Sequence, residues 1–363
     1  MSAFARAIIR WQRRHGRHDL PWQGTRDPYA VWLAEIMLQQ TQVAAAVPYY
    51  LRFRSRFPDI ATLAAADEDE VLRHWSGLGY YSRARNLHRA AQLIVAGHAG
   101  RFPRALAAIE RLPGIGRSTA AAIAGFAFGA RAAILDGNVK RVLARHFVIA
   151  GFPGERSVEQ TLWRLAESLL PARDNGTYIQ GLMDLGATLC TSRSPQCSRC
   201  PVRTTCGARA ANRIAELPTP RPRRRVPTRC TTMIVLRHRD EVLLEKRPPT
   251  GVWGGLWSLP ELGRDEAPGV AAARRYGCEV ERVERLGGLR HGFTHFTLQI
   301  TPLIATVRHI VSRAAQPGVL WLPIGEAVGA AVPVPVRKLL RALAGSGAAA
   351  NQAALFEEAV QDL

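Results

Sequence analysis

The chain has 363 residues, of which 47% are hydrophobic and 21% charged, and its formal net charge is +20. This length and composition are typical of a globular protein with two hydrophobic cores. Its apolar runs fall short of the ~20 residues that a membrane-spanning helix needs. Residues 1–14 also lack the apolar core and cleavage site of a signal peptide. We therefore expect a cytoplasmic protein without a membrane partner.

The positive charge is concentrated in the first part of the chain. Residues 1–212 hold 28 basic and 15 acidic side chains, residues 213–229 hold 6 and 1, and residues 230–363 hold 15 and 13. Clustered positive charge attracts polyanions, so we expect a nucleic-acid surface on the first part and the linker. The predicted domains are 1–212 and 230–343, joined by the Pro/Arg-rich linker 213–229 and followed by a flexible tail over 344–363.

The first predicted helices surround a carboxylate. A basic amphipathic helix is predicted over residues 4–15, and Asp27 with Pro28 is typical of the start of the next helix, over residues 29–42. On that second helix Glu35 shares a face with apolar residues one turn before and one turn after it. Such a carboxylate is either salt-bridged and structural, or an acid whose pKa is raised by desolvation. Further helices are predicted over residues 48–57, 61–75, 158–170 and 178–190.

Two glycine-rich turns follow. Residues 77–81 hold two glycines and two tyrosines ahead of Arg83; an aromatic side chain on such a turn can insert into a base stack, or both tyrosines pack in the core. Gly114 and Gly116 directly precede an alanine-rich helical segment. Glycines there let backbone N–H groups approach a phosphate, as in a helix-hairpin-helix, although an ordinary helix-to-helix turn is the alternative. That segment leads to Asp136 at the start of a basic helix, where a simple N-cap is the structural alternative.

Four cysteines form the pattern C-x6-C-x2-C-x5-C, namely Cys190, Cys197, Cys200 and Cys206. Zinc ribbons usually have two well-separated C-x2-C pairs, whereas four thiolates within one short span suit a [4Fe–4S] cluster. Zinc remains the alternative metal at this site. A disulfide framework does not fit a cytoplasmic chain.

The second domain changes from helical to strand periodicity. Strands are predicted over residues 233–236, 241–245, 296–306 and 318–322, and a helix over residues 334–343.

Residues 1–212 resemble the helix-hairpin-helix base-excision glycosylases of the endonuclease III type, and nearly the whole chain is similar to adenine DNA glycosylases of the MutY type. The similarity rests on the cysteine pattern and on the segments 31–43, 77–88, 112–119 and 134–139. The fold class that this implies is multi-domain, with an all-α helix-hairpin-helix glycosylase domain that includes a [4Fe–4S] module and an α+β Nudix-like C-terminal domain.

The resemblance also implies roles for residues. Glu35 would protonate a flipped adenine, Asp136 would stabilise the oxocarbenium-like sugar, and Asn138 would place the acid or the attacking water. This chemistry needs one neutral and one ionised carboxyl group. The apolar stripe would raise the pKa of Glu35, and the helix start would favour the ionised form of Asp136. Tyr80 would be a wedge in the base stack, and Gln40 would fill the space that the flipped base leaves. The other implied DNA contacts are Arg83, Gly114, Gly116 and Ser118.

Position 118 bears on the reaction type. Relatives that cleave the DNA strand have a lysine there, and the hydroxyl of Ser118 cannot form a Schiff base with the sugar. We therefore expect a monofunctional glycosylase that leaves an abasic site. A bifunctional glycosylase with lyase activity is the nearest alternative.

Residues 245–260 resemble part of a Nudix motif, but residues 270–277 have none of the glutamates that bind metal in active Nudix hydrolases. A nucleotide pyrophosphatase with a DNA-binding domain is thus a weaker alternative, as is a DNA-binding redox protein. The family recognises 8-oxoguanine through a Phe-Ser-His loop, which corresponds here to Phe293, Thr294 and His295. The expected partner is double-stranded DNA that contains an 8-oxoguanine:A or G:A mispair.

The tail segment from Gln352 to Phe356 resembles the peptide by which bacterial repair proteins bind the sliding clamp. We expect a monomer in the bacterial cytoplasm, associated with the nucleoid.

Overall fold

The computed structural model describes residues 1–222, 226–311 and 317–345. The chain forms two compact units. The first contains Met1–Ala66 and Arg85–Arg223, and the second contains Asp67–Ala84 and Arg224–Leu363. The domain boundaries expected from the sequence remain a prediction. That residues 67–84 group with the second unit is an observation which the sequence did not indicate. The clamp-like segment from Gln352 to Phe356 lies outside the described residues.

The described residues form fifteen α-helices: α1 Ala3–His15, α2 Pro28–Leu38, α3 Val43–Arg56, α4 Ile60–Ala65, α5 Glu68–Trp75, α6 Ser82–His98, α7 Leu106–Glu110, α8 Arg117–Phe128, α9 Gly137–His146, α10 Arg156–Ser168, α11 Asn175–Thr188, α12 Gly207–Ala210, α13 Pro268–Tyr276, α14 Ile324–Gly329 and α15 Val334–Gly345. None of these helices has both the length and the apolar character needed to cross a membrane. The helical character predicted for the first domain is confirmed.

Three helices of the first part of the chain differ most from the sequence prediction. The helix predicted over residues 29–42 ends at Leu38, because the backbone of Gln40 is left-handed with φ 58°. The helix predicted over residues 61–75 is two helices, α4 and α5, separated by extended backbone at residues 66–67. Helix α3 begins at Val43, so the proline predicted to open it lies inside it.

The core of the first unit lies between α1, α8, α9 and α11. Helices α1 and α11 approach closely because Gly181 has no side chain: a Cβ there would lie 2.8 Å from Cγ2 of Ile8. The loop after α1 is held to α11 by an ion pair, in which Nε of the half-buried Arg17 donates at 2.7 Å to the fully buried carboxylate of Asp184. Removing Arg17 would leave that buried charge without its guanidinium partner. This loop is therefore fixed, and it forms one wall of the cavity described below.

The described part of the second unit contains eight strands: β1 Thr228–His238, β2 Glu241–Lys246, β3 Trp257–Ser258, β4 Glu261–Leu262, β5 Cys278–Arg285, β6 Leu289–Gly292, β7 Thr297–Ile310 and β8 Val319–Pro323. They form one mixed sheet with the central order β3-β2-β1-β7-β5, in which β1 and β7 are parallel and the other pairs antiparallel. Its core packs α13 against the inner faces of the central strands. The predicted mixture of helices and strands is confirmed.

Candidate functional site

A cavity of about 550 Å³ opens in the first unit, between α2, α8, α9, α11 and the loop after α1. Glu35, Ser118, Asp136 and Asn138 all line it. The structure therefore brings together the two carboxyl groups predicted from the sequence and two of their predicted neighbours. The volume lies in the range typical of sites that bind small molecules or their parts.

Glu35 reaches the cavity from α2, one of the most apolar helices of the chain. Its neighbours Val31 and Leu38 line the same wall, and the opposite side of the helix is buried. Desolvation by this burial raises the pKa of Glu35 to about 8, and the negative charge of Asp136 adds to the rise. The Glu35 carboxyl group is therefore protonated at neutral pH and can donate a proton.

Asp136 is the N-cap of α9. Its Oδ1 accepts from the backbone N–H of Val139 at 2.7 Å, and its Oδ2 accepts from Nδ2 of Asn138 at 3.2 Å. Desolvation raises the pKa of Asp136, whereas these donors and the nearby charge of Arg141 lower it. The helix start favours the ionised form, as expected, but burial opposes it more strongly than the sequence indicated. Asp136 is thus both a cap and a cavity group.

Asn138 is held from two sides. Its Oδ1 accepts from Arg141 at 2.8 Å, and the backbone of α11 passes directly behind it at Gly186. A Cβ at Gly186 would lie 2.5 Å from Cβ of Asn138, so only glycine permits this approach. The same Arg141 donates to the backbone carbonyls of Gly186 and Cys190. The amide that faces Asp136 is therefore fixed in orientation.

Ser118 connects α8 to the start of α9. Its Oγ accepts from the backbone N–H of Leu135 at 3.0 Å, one residue before Asp136. The hydroxyl thus supports the backbone that presents the carboxylate. Lys140, the nearest lysine in sequence, forms an ion pair with Glu159.

Sequence reasoning missed the wall formed by the loop after α1. Trp22, Gln23 and Arg26 line the cavity, and so does Gln180 of α11. Nε2 of Gln180 donates to the buried Asp184, which also holds the loop. No local motif marks these residues, because the contact joins positions 167 residues apart.

The glycines of the predicted hairpin lie in the turn between α7 and α8. Gly114 has φ 77°, and a Cβ there would lie 2.8 Å from Cβ of Asn86. A Cβ at Gly116 would meet nothing within 4 Å, and the first turn of α8 has no side-chain cap from this residue. The N–H groups at this helix start are therefore accessible to an anion.

Gln40 and Tyr80 both have left-handed backbones, with φ of 58° and 48°. Gln40 is exposed and does not line the cavity, whereas Gln39 and Thr41 beside it do. Residues with bulky side chains rarely adopt this conformation, which costs about 1–3 kcal/mol and is frequent at functional sites. Both positions predicted to enter the DNA base stack therefore have unusual backbone geometry.

Tyr80 lies in a loop of the second unit, residues 76–81, that we call the wedge loop. The ring of Tyr80 is 46% exposed. Arg83, predicted to contact DNA, is only 7% exposed, and its guanidinium group donates to the carbonyls of Leu78 and Gly79 and lies over the ring of Trp75. Burial lowers the pKa of Arg83 to about 10. Arg83 therefore supports the loop rather than presenting its charge at the surface, which differs from the prediction.

Phe293, Thr294 and His295 form the tip of the hairpin between β6 and β7. Phe293 stacks on Phe296 with ring centroids 4.4 Å apart, while Thr294 and His295 are exposed. Within this unit the hydroxyl groups of Thr294 and Tyr80 lie 3.1 Å apart. The two predicted DNA-reading loops are thus in direct contact.

The four cysteines, Cys190, Cys197, Cys200 and Cys206, line a second pocket of the first unit. The buried Arg145 donates to Sγ of Cys190 at 3.5 Å and to the carbonyl of Thr191 at 2.7 Å. Burial raises the pKa of the Cys200 thiol to about 11. Within the described residues, no three His, Cys, Asp or Glu side chains are close enough to hold a single metal ion.

Helix α13 covers most of the segment 270–277 that the Nudix resemblance compares with a metal-binding helix, and its sequence contains no carboxylate. The nearby acidic side chains are paired: Glu245 accepts from Arg275 and Tyr276, and Glu266 accepts from Arg274. The donor set therefore does not suit a divalent cation.

Comparisons with known proteins agree with this geometry. Residues 33–168 match the family model described as HhH-GPD superfamily base excision DNA repair protein, and residues 231–342 match the model described as NUDIX domain. The first unit is similar to a thermostable thymine-DNA glycosylase, with 31% identity and a TM-score of 0.51 over 57% of this chain and 95% of that one. An endonuclease III–DNA complex, at 21% identity and a TM-score of 0.50 over 58% of this chain and 94% of that one, supports the same fold.

Two curated relatives match over nearly the whole chain. The adenine DNA glycosylase of Buchnera aphidicola subsp. Baizongia pistaciae is 34% identical over 93% of this chain and 95% of its own length. The human adenine DNA glycosylase is 33% identical over 95% of this chain and 74% of its own length. The chain therefore belongs to the adenine DNA glycosylase family of base-excision-repair enzymes.

Proposed function

We propose that this enzyme hydrolyses the N-glycosidic bond of adenine mispaired with 8-oxoguanine or guanine, and that it leaves an abasic site in an uncut strand. One observation carries this proposal: Glu35 and Asp136 line the same cavity, and the pKa of Glu35 lies at about 8. A proton donor and a carboxylate on one cavity are what the departure of a purine requires.

Each group has a defined part in the reaction. Glu35 donates its proton to a ring nitrogen of adenine, which makes the base a better leaving group. As the bond between the base and C1′ breaks, its electron pair goes to the base, and the negative charge of Asp136 stabilises the sugar cation. A water molecule adds to C1′ and gives its proton to a carboxylate of the site, with Asn138 directing the acid or the water. Ser118 keeps the backbone before Asp136 in place and offers no amine for a Schiff base.

Outside the cavity, backbone N–H groups and uncharged side chains contact the DNA. The N–H groups at Gly114 and Gly116 bind a phosphate at the start of α8. Tyr80 inserts beside the mispair, and Gln40 occupies the space of the flipped nucleotide. Base extrusion costs a few kcal/mol, which these contacts offset.

Thr294, between Phe293 and His295, reads the base opposite adenine. Its exposed hydroxyl group at a hairpin tip supports this role, because it can accept or donate a hydrogen bond. The enzyme needs such a reader, since adenine itself is a normal base. We also propose that the protein is a cytoplasmic, nucleoid-associated monomer.

The cysteine pocket supports the [4Fe–4S] assignment, because four cysteines that line one pocket supply the number of thiolates that a cubane cluster binds. Cys190, Cys197, Cys200 and Cys206 would be the ligands, and Arg145 beside Cys190 would offset their negative charge. When bound, the cluster would order the loop that follows α11.

Single-turnover adenine release from an 8-oxoguanine:A duplex tests the proposal. Wild type should release adenine and leave a strand that breaks only after alkali treatment. The E35Q variant should lose activity at least 10²-fold while binding the duplex with unchanged affinity, because general-acid catalysis contributes about 10²–10⁴-fold. E110Q, an exposed glutamate of the same unit, is the matched control. Full activity of E35Q would refute the assignment.

A further inference from the structure

The wedge loop is tied at its first residue to the C-terminal part of the second unit. Oγ of Ser76 donates to the carbonyl of Val332 at 3.1 Å and accepts from the guanidinium group of Arg337 at 2.6 Å. Ser76 is only 6% exposed. The same guanidinium group donates to the carbonyls of Val328 and Ala330, so it is held in place by the turn between α14 and α15.

Helix α5, which leads into the wedge loop, has a second attachment. One carboxylate oxygen of Asp69 pairs with Nζ of Lys246, and the other accepts from Nε1 of Trp257 at 3.0 Å. Lys246 also lies over the ring of Trp257, 4.9 Å from its centroid. These partners belong to β2 and β3 of the mixed sheet.

The loop is also braced internally. Nε1 of Trp75 donates to the carbonyl of Gly79, and the hydroxyl of Tyr81 accepts from the backbone N–H of Gly77. The guanidinium group of Arg83 holds the carbonyls at 78 and 79. A displacement of Ser76 would therefore be transmitted along the loop to Tyr80, whose left-handed backbone depends on this support.

We propose that Ser76 and Arg337, assisted by Asp69, are positioning residues that make the wedge tyrosine and the reader threonine one rigid pair, and so set the preference for 8-oxoguanine over guanine opposite adenine. The pair is Tyr80 and Thr294, 3.1 Å apart at their hydroxyl groups. This inference rests on the proposed function. None of the three positioning residues lines the cavity that holds Glu35 and Asp136.

The physical reason is that the strength of a hydrogen bond depends steeply on its geometry. Discrimination between two bases through one hydroxyl group requires its distance and angle to be fixed, because hydrogen bonds weaken steeply when they are bent. A loop attached only by its covalent ends would let Tyr80 move independently of Thr294. Guanine and 8-oxoguanine would then be read with similar strength, while the catalytic groups stayed intact.

The first test measures single-turnover adenine release by the full chain on 8-oxoguanine:A and G:A duplexes. In S76A and R337M the ratio of the two rates should fall at least fivefold, mainly through slower release from 8-oxoguanine:A. R337K should restore part of the ratio. The double variant should lose no more than the worse single variant, since both residues act through one contact. An unchanged ratio in both single variants would overturn the proposal.

Two matched controls separate positioning from general destabilisation. R341M removes an exposed arginine one turn further along α15, and S258A removes a buried serine hydroxyl of β3 that has no hydrogen-bond partner in the described residues. Both should keep the wild-type ratio. A loss of ratio in either control equal to that in S76A would also overturn the proposal.

Hydrogen–deuterium exchange of the DNA-free chain supplies a readout that needs no substrate. Peptides covering residues 76–83 should exchange at least threefold faster in S76A and R337M, whereas peptides of α8 and α9 should not change. If wild type shows no preference for 8-oxoguanine:A, the proposed reading function fails, and the exchange data still decide whether the attachment exists. Unchanged exchange in the loop would reject it.

Discussion

Glu35 and Asp136 face one cavity, but they differ in the groups that stabilise their charge. Asp136 accepts from the backbone N–H of Val139 and from Asn138, and it lies near Arg141. The pKa of Glu35 responds mainly to burial and to the charge of Asp136. The same dehydrated surroundings can therefore keep one carboxyl group protonated and the other ionised.

The pH dependence of activity follows from these neighbours. Because Glu35 must be protonated, kcat/KM for adenine release should fall tenfold per pH unit above about 8. Because Asp136 must be ionised and burial raises its pKa, kcat/KM should also fall at acid pH. Replacing Asp136 by asparagine removes the charge that raises the pKa of Glu35. NMR titration of a labelled Glu35 carboxyl group should therefore show a lower pKa in D136N than in wild type. A pKa unaffected by D136N would contradict the coupling.

The free energy of unfolding should also depend on the ionisation of Glu35, and the sign of this dependence follows from the direction of its pKa shift. The pKa of Glu35 is raised in the folded state, from 4.5 to about 8, so the folded state is not penalised below pH 4.5 and loses stability progressively as pH rises from 4.5 through about 8. At about 1.4 kcal/mol per pH unit, the full effect is on the order of 5 kcal/mol. Denaturant unfolding of E35Q and wild type should thus diverge between pH 5 and 9 in favour of the variant. E110Q should show no such divergence.

At the scale of elements, the side chain of Ser118 in α8 holds the backbone just before α9. The S118A change leaves the backbone N–H of Leu135 without its acceptor, which typically costs about 1–3 kcal/mol. We expect adenine release to slow about tenfold while DNA affinity stays within twofold, because the shift acts on Asp136. S118T retains the hydroxyl and should retain most of the activity. Equal rates for S118A and wild type would show that this contact does not position the carboxylate.

A separate prediction concerns the metal that the cysteines of the loop after α11 bind. Purified protein should contain iron and acid-labile sulfide in equal amounts, about four of each per chain, and little zinc. C200S should lose the iron and the visible absorption, whereas C230S, which changes an exposed cysteine of the second unit, should keep both. Stoichiometric zinc in place of iron would contradict the cluster assignment.

Much of the site was accessible from sequence, because its parts are marked by local rules. An acid in an apolar helical stripe, an aspartate at a helix start and glycines before a helix each have a recognisable pattern. The cavity wall that includes Trp22 and Gln180 has no recognisable sequence pattern. It is formed by segments far apart in the chain, which the ion pair between Arg17 and Asp184 joins. Arg83 was misjudged for a related reason: its acceptors are carbonyls within its own loop, which composition does not reveal.

At the scale of the whole molecule, the division of net charge along the chain does not coincide with the division into two compact units. Net positive charge is concentrated in residues 1–229, whereas the proposed reader hairpin belongs to residues 230–363, which are nearly neutral. The proposed phosphate contacts and the proposed base-reading contacts thus lie on different parts of the chain, and the two kinds of contact serve different purposes: phosphate contacts position the protein and base contacts specify the sequence. The sequence indicated this division, but it did not indicate that residues 67–84 pack with the second part.

Salt dependence can test that division. The logarithm of DNA affinity should fall linearly with the logarithm of salt concentration, with a slope of about −0.9 per phosphate contacted. R111Q, beside the hairpin of the first unit, should reduce the slope by about one. R308Q, an exposed arginine on β7, should leave it unchanged. The same loss of slope in R308Q would place phosphate contacts on the sheet.

The grouping of residues 67–84 with the second unit has a consequence for biosynthesis. Asp69 precedes Lys246 by 177 residues, and Ser76 precedes Arg337 by 261. At roughly 5–20 residues per second, a ribosome needs on the order of 10–50 s to make the intervening chain. Once Asp136 has been made, the nascent protein has its hairpin and both carboxyl groups, but until Lys246 is made it lacks the sheet and C-terminal partners described above for its wedge loop. The order of translation thus makes this loop the last part of the DNA-reading apparatus to mature.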